Sequence, residues 1–194
     1  LVSVEHAYDD GQYVLSLTVR DGDGGDAERS LPLVVRNVAP GIALDGQSAT
    51  MEGSSYQLVL GPITDPGDDT VTTWRVDWGD GVSDEYSAGG IVEHIYGDGP
   101  STPLINVTLA DEDGVHVDVA SLSVDVLNVP PEIRSVATSE IRQEGTPIIF
   151  RVEADDAADD ADTLTYTWDF GDGSAVVAGE DLGTVMHAYP DDGS

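Results

Sequence analysis

Large apolar residues occupy every second position in two stretches of the chain. Tyr166, Trp168 and Phe170 alternate with Thr167 and Asp169, and Trp74, Val76 and Trp78 alternate with Arg75 and Asp77. A period of two predicts a strand with one face on a core, which makes Trp74, Trp78 and Trp168 core residues. Gly-Asp-Gly follows each stretch, at 79–81 and 171–173. Glycine tolerates positive φ and Asp bonds its own backbone, so a tight turn is expected there. The same alternation runs through Tyr13, Leu15, Leu17 and Val19, and Leu31 to Arg36 reads as a further strand. Between 37 and 127 the pattern predicts strands near 42–45, 55–60, 71–78, 82–87, 91–95, 104–110 and 115–127. Short strands separated by turn signals are the pattern of a two-sheet sandwich, and no helix is expected.

These segments repeat. His6-Ala7-Tyr8, His94-Ile95-Tyr96 and His187-Ala188-Tyr189 are one motif, 88 and 93 residues apart. Asn37 and Asn128, each opening a Pro-containing run, are 91 apart, and Glu52-Gly53 answers Glu144-Gly145 at 92. Trp78 and Phe170 are also 92 apart, and Asp21-Gly22-Asp23-Gly24 precedes Asp111-Glu112-Asp113-Gly114 by 90. A period near 91 residues organises the chain.

The order of these motifs resembles the PKD (polycystic kidney disease) domain, and the aromatic strand with its Gly-Asp-Gly turn is the most specific part of the likeness. The resemblance implies an all-β chain of tandem immunoglobulin-like (PKD-like) β-sandwiches. Residues 1–36 are then the C-terminal part of one unit, 37–127 a complete unit, and 128–194 the N-terminal part of a third. In one respect the sequence departs from the family: Gly11-Gln12-Tyr13 has no counterpart at Ser101-Thr102-Pro103, so that corner is expected to pack differently. The two partial units cannot each close a two-sheet core. Either the chain is an excerpt of a longer array, or copies complete one another head to tail, a contact that propagates into a filament.

The charge narrows the choice of partners. Asp and Glu total 38 against 7 basic residues, all Arg, for a formal net charge of −31. Such a surface repels nucleic acid and anionic lipid and attracts cations. Ca²⁺ sites or a saline medium, in which the Debye length falls to about 3 Å at 1 M, would each accommodate it. There is no Cys, so the cores are held without disulfides. No apolar run reaches the roughly 20 residues of a membrane span.

In an immunoglobulin-like sandwich the domain start, the loop after the second strand and the loop between the last two strands share one pole. Those places hold Asn37, then Asp65, Asp68 and Asp69, then Asp111 and Asp113. In the third unit they hold Asn128 and the run Asp155, Asp156, Asp159, Asp160 and Asp162, and in the first the turn at Asp21 and Asp23. Ca²⁺ takes six to eight hard oxygen ligands, which these residues supply. The resemblance points the same way, since some PKD-like domains bind Ca²⁺ near the linker. The competing reading is that Asp and Gly are turn formers on an acidic surface. Across the 127/128 joint the acidic poles would repel one another, so Ca²⁺ or a counterion cloud is expected there.

Histidines at one repeat position read as structural hydrogen bonds near a turn, and His116 as solvated on an outward strand phase. Zinc spacing, a phosphate-binding Gly-rich loop leading into a helix, and a nucleophile paired with His are all missing from the sequence, which argues against an enzyme. Asn106-Val107-Thr108 is a glycosylation sequon on an outward phase. The functional expectation is a structural or adhesive repeat of an extracellular or cell-surface filament, its partners being neighbouring units or copies of itself. The second reading is an accessory spacer or carbohydrate-contacting module of a large secreted enzyme.

Overall fold

The computed structural model describes residues 4–140, 144–157 and 163–190. They form sixteen strands and no helix. β1 (Gly11–Arg20) and β2 (Asp26–Val35) make an antiparallel hairpin whose register runs from Gly11 opposite Val35 to Arg20 opposite Asp26. Nine strands follow: β3 (Gly41–Gly46), β4 (Ala49–Met51), β5 (Ser55–Thr64), β6 (Thr73–Asp77), β7 (Ser83–Tyr86), β8 (Gly90–Ile95), β9 (Leu104–Ala110), β10 (Val115–Ser123) and β11 (Asp125–Leu127). They are ordered β3-β5-β8 in one sheet and β10-β9-β6-β7 in another, with β11 paired in parallel to β4. The last five are β12 (Glu132–Thr138), β13 (Ile148–Asp155), β14 (Tyr166–Trp168), β15 (Val177–Gly179) and β16 (Thr184–His187), ordered β12-β13-β16 and β14-β15. The chain is all-β and built of immunoglobulin-like sandwich units.

Two compact units divide it. The first comprises Leu1–Gln47, Gln57–Val92 and Pro103–Ser123. Its core is the inward row of each central strand: Leu58 and Leu60, Trp74 and Val76 continuing to Trp78, and Ile105, Val107 and Leu109. β6 lies between β7 and β9, with Trp74 opposite Leu109 and Val76 opposite Val107. Trp78 is fully buried, and its Nε1 donates to Asp84 Oδ2 at 2.8 Å, so the one polar atom of the side chain is satisfied. The turn after it requires Gly79: φ is +81°, and a Cβ would sit 2.6 Å from the Leu104 carbonyl oxygen.

The second unit comprises Ser48–Tyr56, Glu93–Thr102 and Val124–Ser194. Tyr56, Tyr96, Val124 and Val126 are buried in it, as are Ile148 and Val185. Two sequence motifs prove to be halves of one contact. The Gly53 amide donates to the Tyr96 carbonyl at 2.8 Å, and the Gly145 amide to the Tyr189 carbonyl at 2.6 Å. The Glu-Gly and His-x-Tyr motifs therefore recur together because each closes the other's backbone. Around β14, Phe150 packs on Trp168 and Phe170, and the Phe170 ring stacks on His187 at 4.1 Å. His187 Nε2 lies 2.7 Å from Asp172 Oδ2 in the Gly-Asp-Gly turn, the structural role expected of that histidine.

Two local expectations change. The segment 115–127, read as one strand, is two: at buried Val124 the chain leaves β9 and β11 joins β4. His116 is not solvated. It pairs with Leu109 across β9–β10, and antiparallel partners share a face, so it points the way of a fully buried residue while Val115 and Val117 point out. The turn at 111–114 had shifted the phase by one.

Candidate functional site

The acidic loops of the first unit meet at one place. Tyr13, on β1, directs its hydroxyl at the carbonyl oxygens of Asp9 and Asp10, 2.9 and 3.1 Å away, and so fixes the backbone that carries these two carboxylates. This is the corner expected from Gly11-Gln12-Tyr13. Near residue 101, where that motif is missing, the chain is held by a backbone bridge between Ser101 and Val126 and by Thr102 Oγ1 on Asp125. Between β5 and β6, the loop at Asp65 turns on its own side chain, since Asp65 Oδ1 accepts the Gly67 amide at 3.1 Å. It is tied to Asp9, whose Oδ1 accepts the Asp68 amide at 3.3 Å.

Carboxylate oxygens of Asp9, Asp10 and Asp69 all lie within 4.8 Å of one another, the one such group among the described residues. A pocket beside them is lined by Asn37, Pro66, Gly67 and Asp69. Asn37 Oδ1 and Asp65 Oδ2 are buried without a hydrogen-bond partner. A buried oxygen left unpaired costs about 1–3 kcal/mol, so two beside a carboxylate cluster need a donor or a cation.

The electrostatics agree. Desolvation, with Asp113, Asp9, Asp65 and Glu112 nearby, raises the Asp69 carboxyl to about 6. Asp113 is raised too, by desolvation and by Asp10, Asp111, Glu112 and Asp9. Asp111 is the exception. Burial works against its charge, but His116 Nε2 at 2.8 Å and the amides of Asp113 and Gly114 hold its carboxyl below the usual range. Glu112 is engaged by the Thr70 amide at 2.8 Å.

The structure thus brings Asn37, Asp65, Asp69 and Asp113 into one neighbourhood, while Asp68 contributes its amide and Asp111 is committed to its turn and to His116. Asp9 and Asp10 were not read as ligands from the sequence. The signal was present in Tyr8-Asp9-Asp10-Gly11, but it stands nearly 60 residues from the loop it meets. Asp21 shapes its own hairpin: Oδ1 accepts the amides of Asp23 and Gly25, and Asp23 stands exposed in that turn. Farther along, Asn128 is exposed, Asp155 pairs with Arg134 at 3.1 Å, and Asp156 accepts the Ala157 amide. Asp159, Asp160 and Asp162 lie outside the described residues.

A different carboxylate organises the linker of the second unit. Glu52 is 2% exposed, and its Oε1 accepts the Val129 amide at 2.6 Å while Oε2 accepts the Gly99 amide. Both oxygens are therefore spent on backbone, one of them on the residue that follows Asn128. Trp74 and Trp78 are buried, so they offer no platform on which a sugar could stack.

Residues 128–194 match the family model of the PKD domain, a module that is generally structural and non-catalytic and typically extracellular. No curated protein matches the chain. No helix among the described residues is long and apolar enough to cross a membrane. The matched segment contains the aromatic strand, the Gly-Asp-Gly turn and the Glu-Gly and His-x-Tyr pair whose contacts the structure displays, and over residues 128–194 the chain is similar to the PKD domain family.

Proposed function

We propose that this chain is a structural repeat segment of an extracellular or cell-surface filament, its units joined end to end and stiffened by Ca²⁺. The observation that supports this is the meeting of Asp9 and Asp10 with Asp69 beside the orphaned oxygens of Asn37 and Asp65. Hard oxygen donors carrying excess negative charge suit Ca²⁺, and Asp9, Asp10, Asp65, Asp69 and Asn37 are the residues that would hold it. Bound there, the ion would neutralise repelling carboxylates and satisfy both unpaired oxygens. It would also tie the segment before β1 to the loop before β6, so its effect is mechanical and not catalytic.

The test is calorimetric titration of CaCl₂ into chelator-stripped protein, with thermal unfolding alongside. Sites of this class in extracellular modules bind at about 10⁻⁴–10⁻³ M, and ten times Kd adds about 1.4 kcal/mol to stability. Asp69→Asn should abolish the binding heat, and equal binding by that variant would refute the site.

A further inference from the structure

The triplet Asn106-Val107-Thr108 lies on β9, which pairs with β6 on one side and β10 on the other. Val107 is fully buried between the equally buried Ile105 and Leu109, so Asn106 and Thr108 stand on the outward face, each half-buried. An amide side chain in the middle of a strand suits neither pairing nor packing. Asn106 Nδ2 donates to the Leu104 carbonyl at 3.5 Å, beyond the roughly 2.7–3.2 Å of an ordinary N–H···O bond. Its cross-strand partners are Ser121 on β10 and Asp77 on β6. Asp77 Oδ1 is turned to the Gly79 amide, and Arg75, the next outward residue of β6, donates to Ser83 Oγ.

The fold does not demand an Asn at this place. Aligning Asp21-Gly22-Asp23-Gly24 with Asp111-Glu112-Asp113-Gly114 sets Asn106 on Ser16 and Thr108 on Thr18, so the same strand of the preceding repeat is built with a hydroxyl there. The face has room for a large substituent. Ser121, Ser123 and Asp77 around Asn106 are small or exposed. Leu104 on one side, and Val115 and Val117 on the other, are 49%, 67% and 68% exposed. A hydrophilic group rooted between them would screen apolar surface from other molecules.

We propose that Asn106 is an N-glycosylation acceptor and that its glycan stands on the outward face of the β10-β9-β6-β7 sheet. This rests on the extracellular reading, since the transfer is made to chains being exported, but it uses none of the Ca²⁺ residues. Asn106 Nδ2 bonds to the anomeric carbon of an oligosaccharide carried on a lipid diphosphate. The bond from that carbon to the diphosphate oxygen breaks, and the lipid diphosphate leaves with one Nδ2 proton. The Thr108 hydroxyl is the second half of the recognition element. In the folded unit that hydroxyl accepts the Asp118 amide at 3.4 Å, and β9 is paired on both edges. The acceptor is therefore closed once the sheet has formed, and the transfer belongs to the chain before β9 is paired.

The test is made on the full chain exported from a eukaryotic cell behind a secretion leader. The expected result is a mobility shift removed by the amidase that releases N-glycans, with peptide mass placing the resulting aspartate at position 106. Asn106→Ser, which installs the residue of the preceding repeat, should abolish the shift and leave thermal unfolding in place. Thr108→Val keeps the branched shape and should abolish it too, whereas Thr108→Ser keeps the hydroxyl and should retain it. Glu144→Asn creates a second sequon with Gly145 and Thr146 in an exposed turn and reports that the chain has met the transferase. A chain bare at Asn106 while the Glu144→Asn chain is modified at its new sequon overturns the proposal. So does a glycan on Asn106 that survives Thr108→Val. Calcium titration of the same exported chain separates the two readings: intact binding with a bare Asn106 strikes the glycan and leaves the repeat-segment reading standing.

Discussion

At the scale of single residues, the chain shows two ways of placing a polar group inside a β-sandwich. Trp78 buries its ring and gives its one donor to Asp84. Trp78→Ala should therefore cost about 3–5 kcal/mol, as large aromatic truncations do, read from urea unfolding of the first unit. Asp69 illustrates the opposite case, a carboxylate kept among others of its sign. Its folded-state pKa of about 6 lies above the ordinary 3.8, so the folded form takes up a proton before the unfolded chain does. In chelator, stability should rise as pH falls from about 7 through 6 towards 3.8, and be lowest above 6. Asp69→Asn should flatten that rise and stabilise the metal-free protein at pH 7, and a Tm that falls over that pH window in the parent would contradict the assignment. Which of many acidic residues would behave this way could not be read from a chain with 38 of them. Asp9 and Asp10 in particular depend on Tyr13 fixing their backbone and on a loop nearly 60 residues away, and no local pattern carries that information.

Among the elements, strand existence was legible wherever side-chain alternation ran long enough. The segment 104–110 was read to the residue, and 71–78 contains β6. Short pieces escaped. β4 has three residues, too few to show a period, and β11 was hidden because a strand that changes partner need not change its sequence pattern. His116 was misplaced because the residues after a turn restart their alternation. The Glu-Gly motif was visible but its purpose was not: Gly53 reaches Tyr96, and Glu52 receives two amides that the sequence leaves unconnected. Glu52→Gln presents an NH₂ to one of those N–H donors, so one hydrogen bond to a charged acceptor is lost, at a cost of about 1.5–3 kcal/mol. Amide exchange at Gly99 and Val129 should accelerate accordingly, whereas unchanged protection at both would show that the carboxylate is not what holds them.

For the whole molecule, the excess of acidic residues sets the terms. A net charge of −31 on 194 residues destabilises any compact form through self-repulsion. In chelator, raising NaCl from about 0.1 M to 1 M shortens the Debye length from roughly 10 to 3 Å and should raise Tm substantially. A Tm indifferent to salt would mean that local pairs, such as Arg134 with Glu132 and Asp155, already absorb the repulsion. The parallel pairing of β4 with β11 bears on how such a chain behaves when its two ends are pulled. Tension arriving ahead of Ala49 and leaving after Leu127 draws the two strands past one another along their length. Asp125 opposite Ala49, Val126 opposite Thr50 and Leu127 opposite Met51 are then loaded together in shear instead of peeling open one at a time. Glu52 and its grip on Val129 stand just beyond that short ladder and act as a latch in the same direction of load.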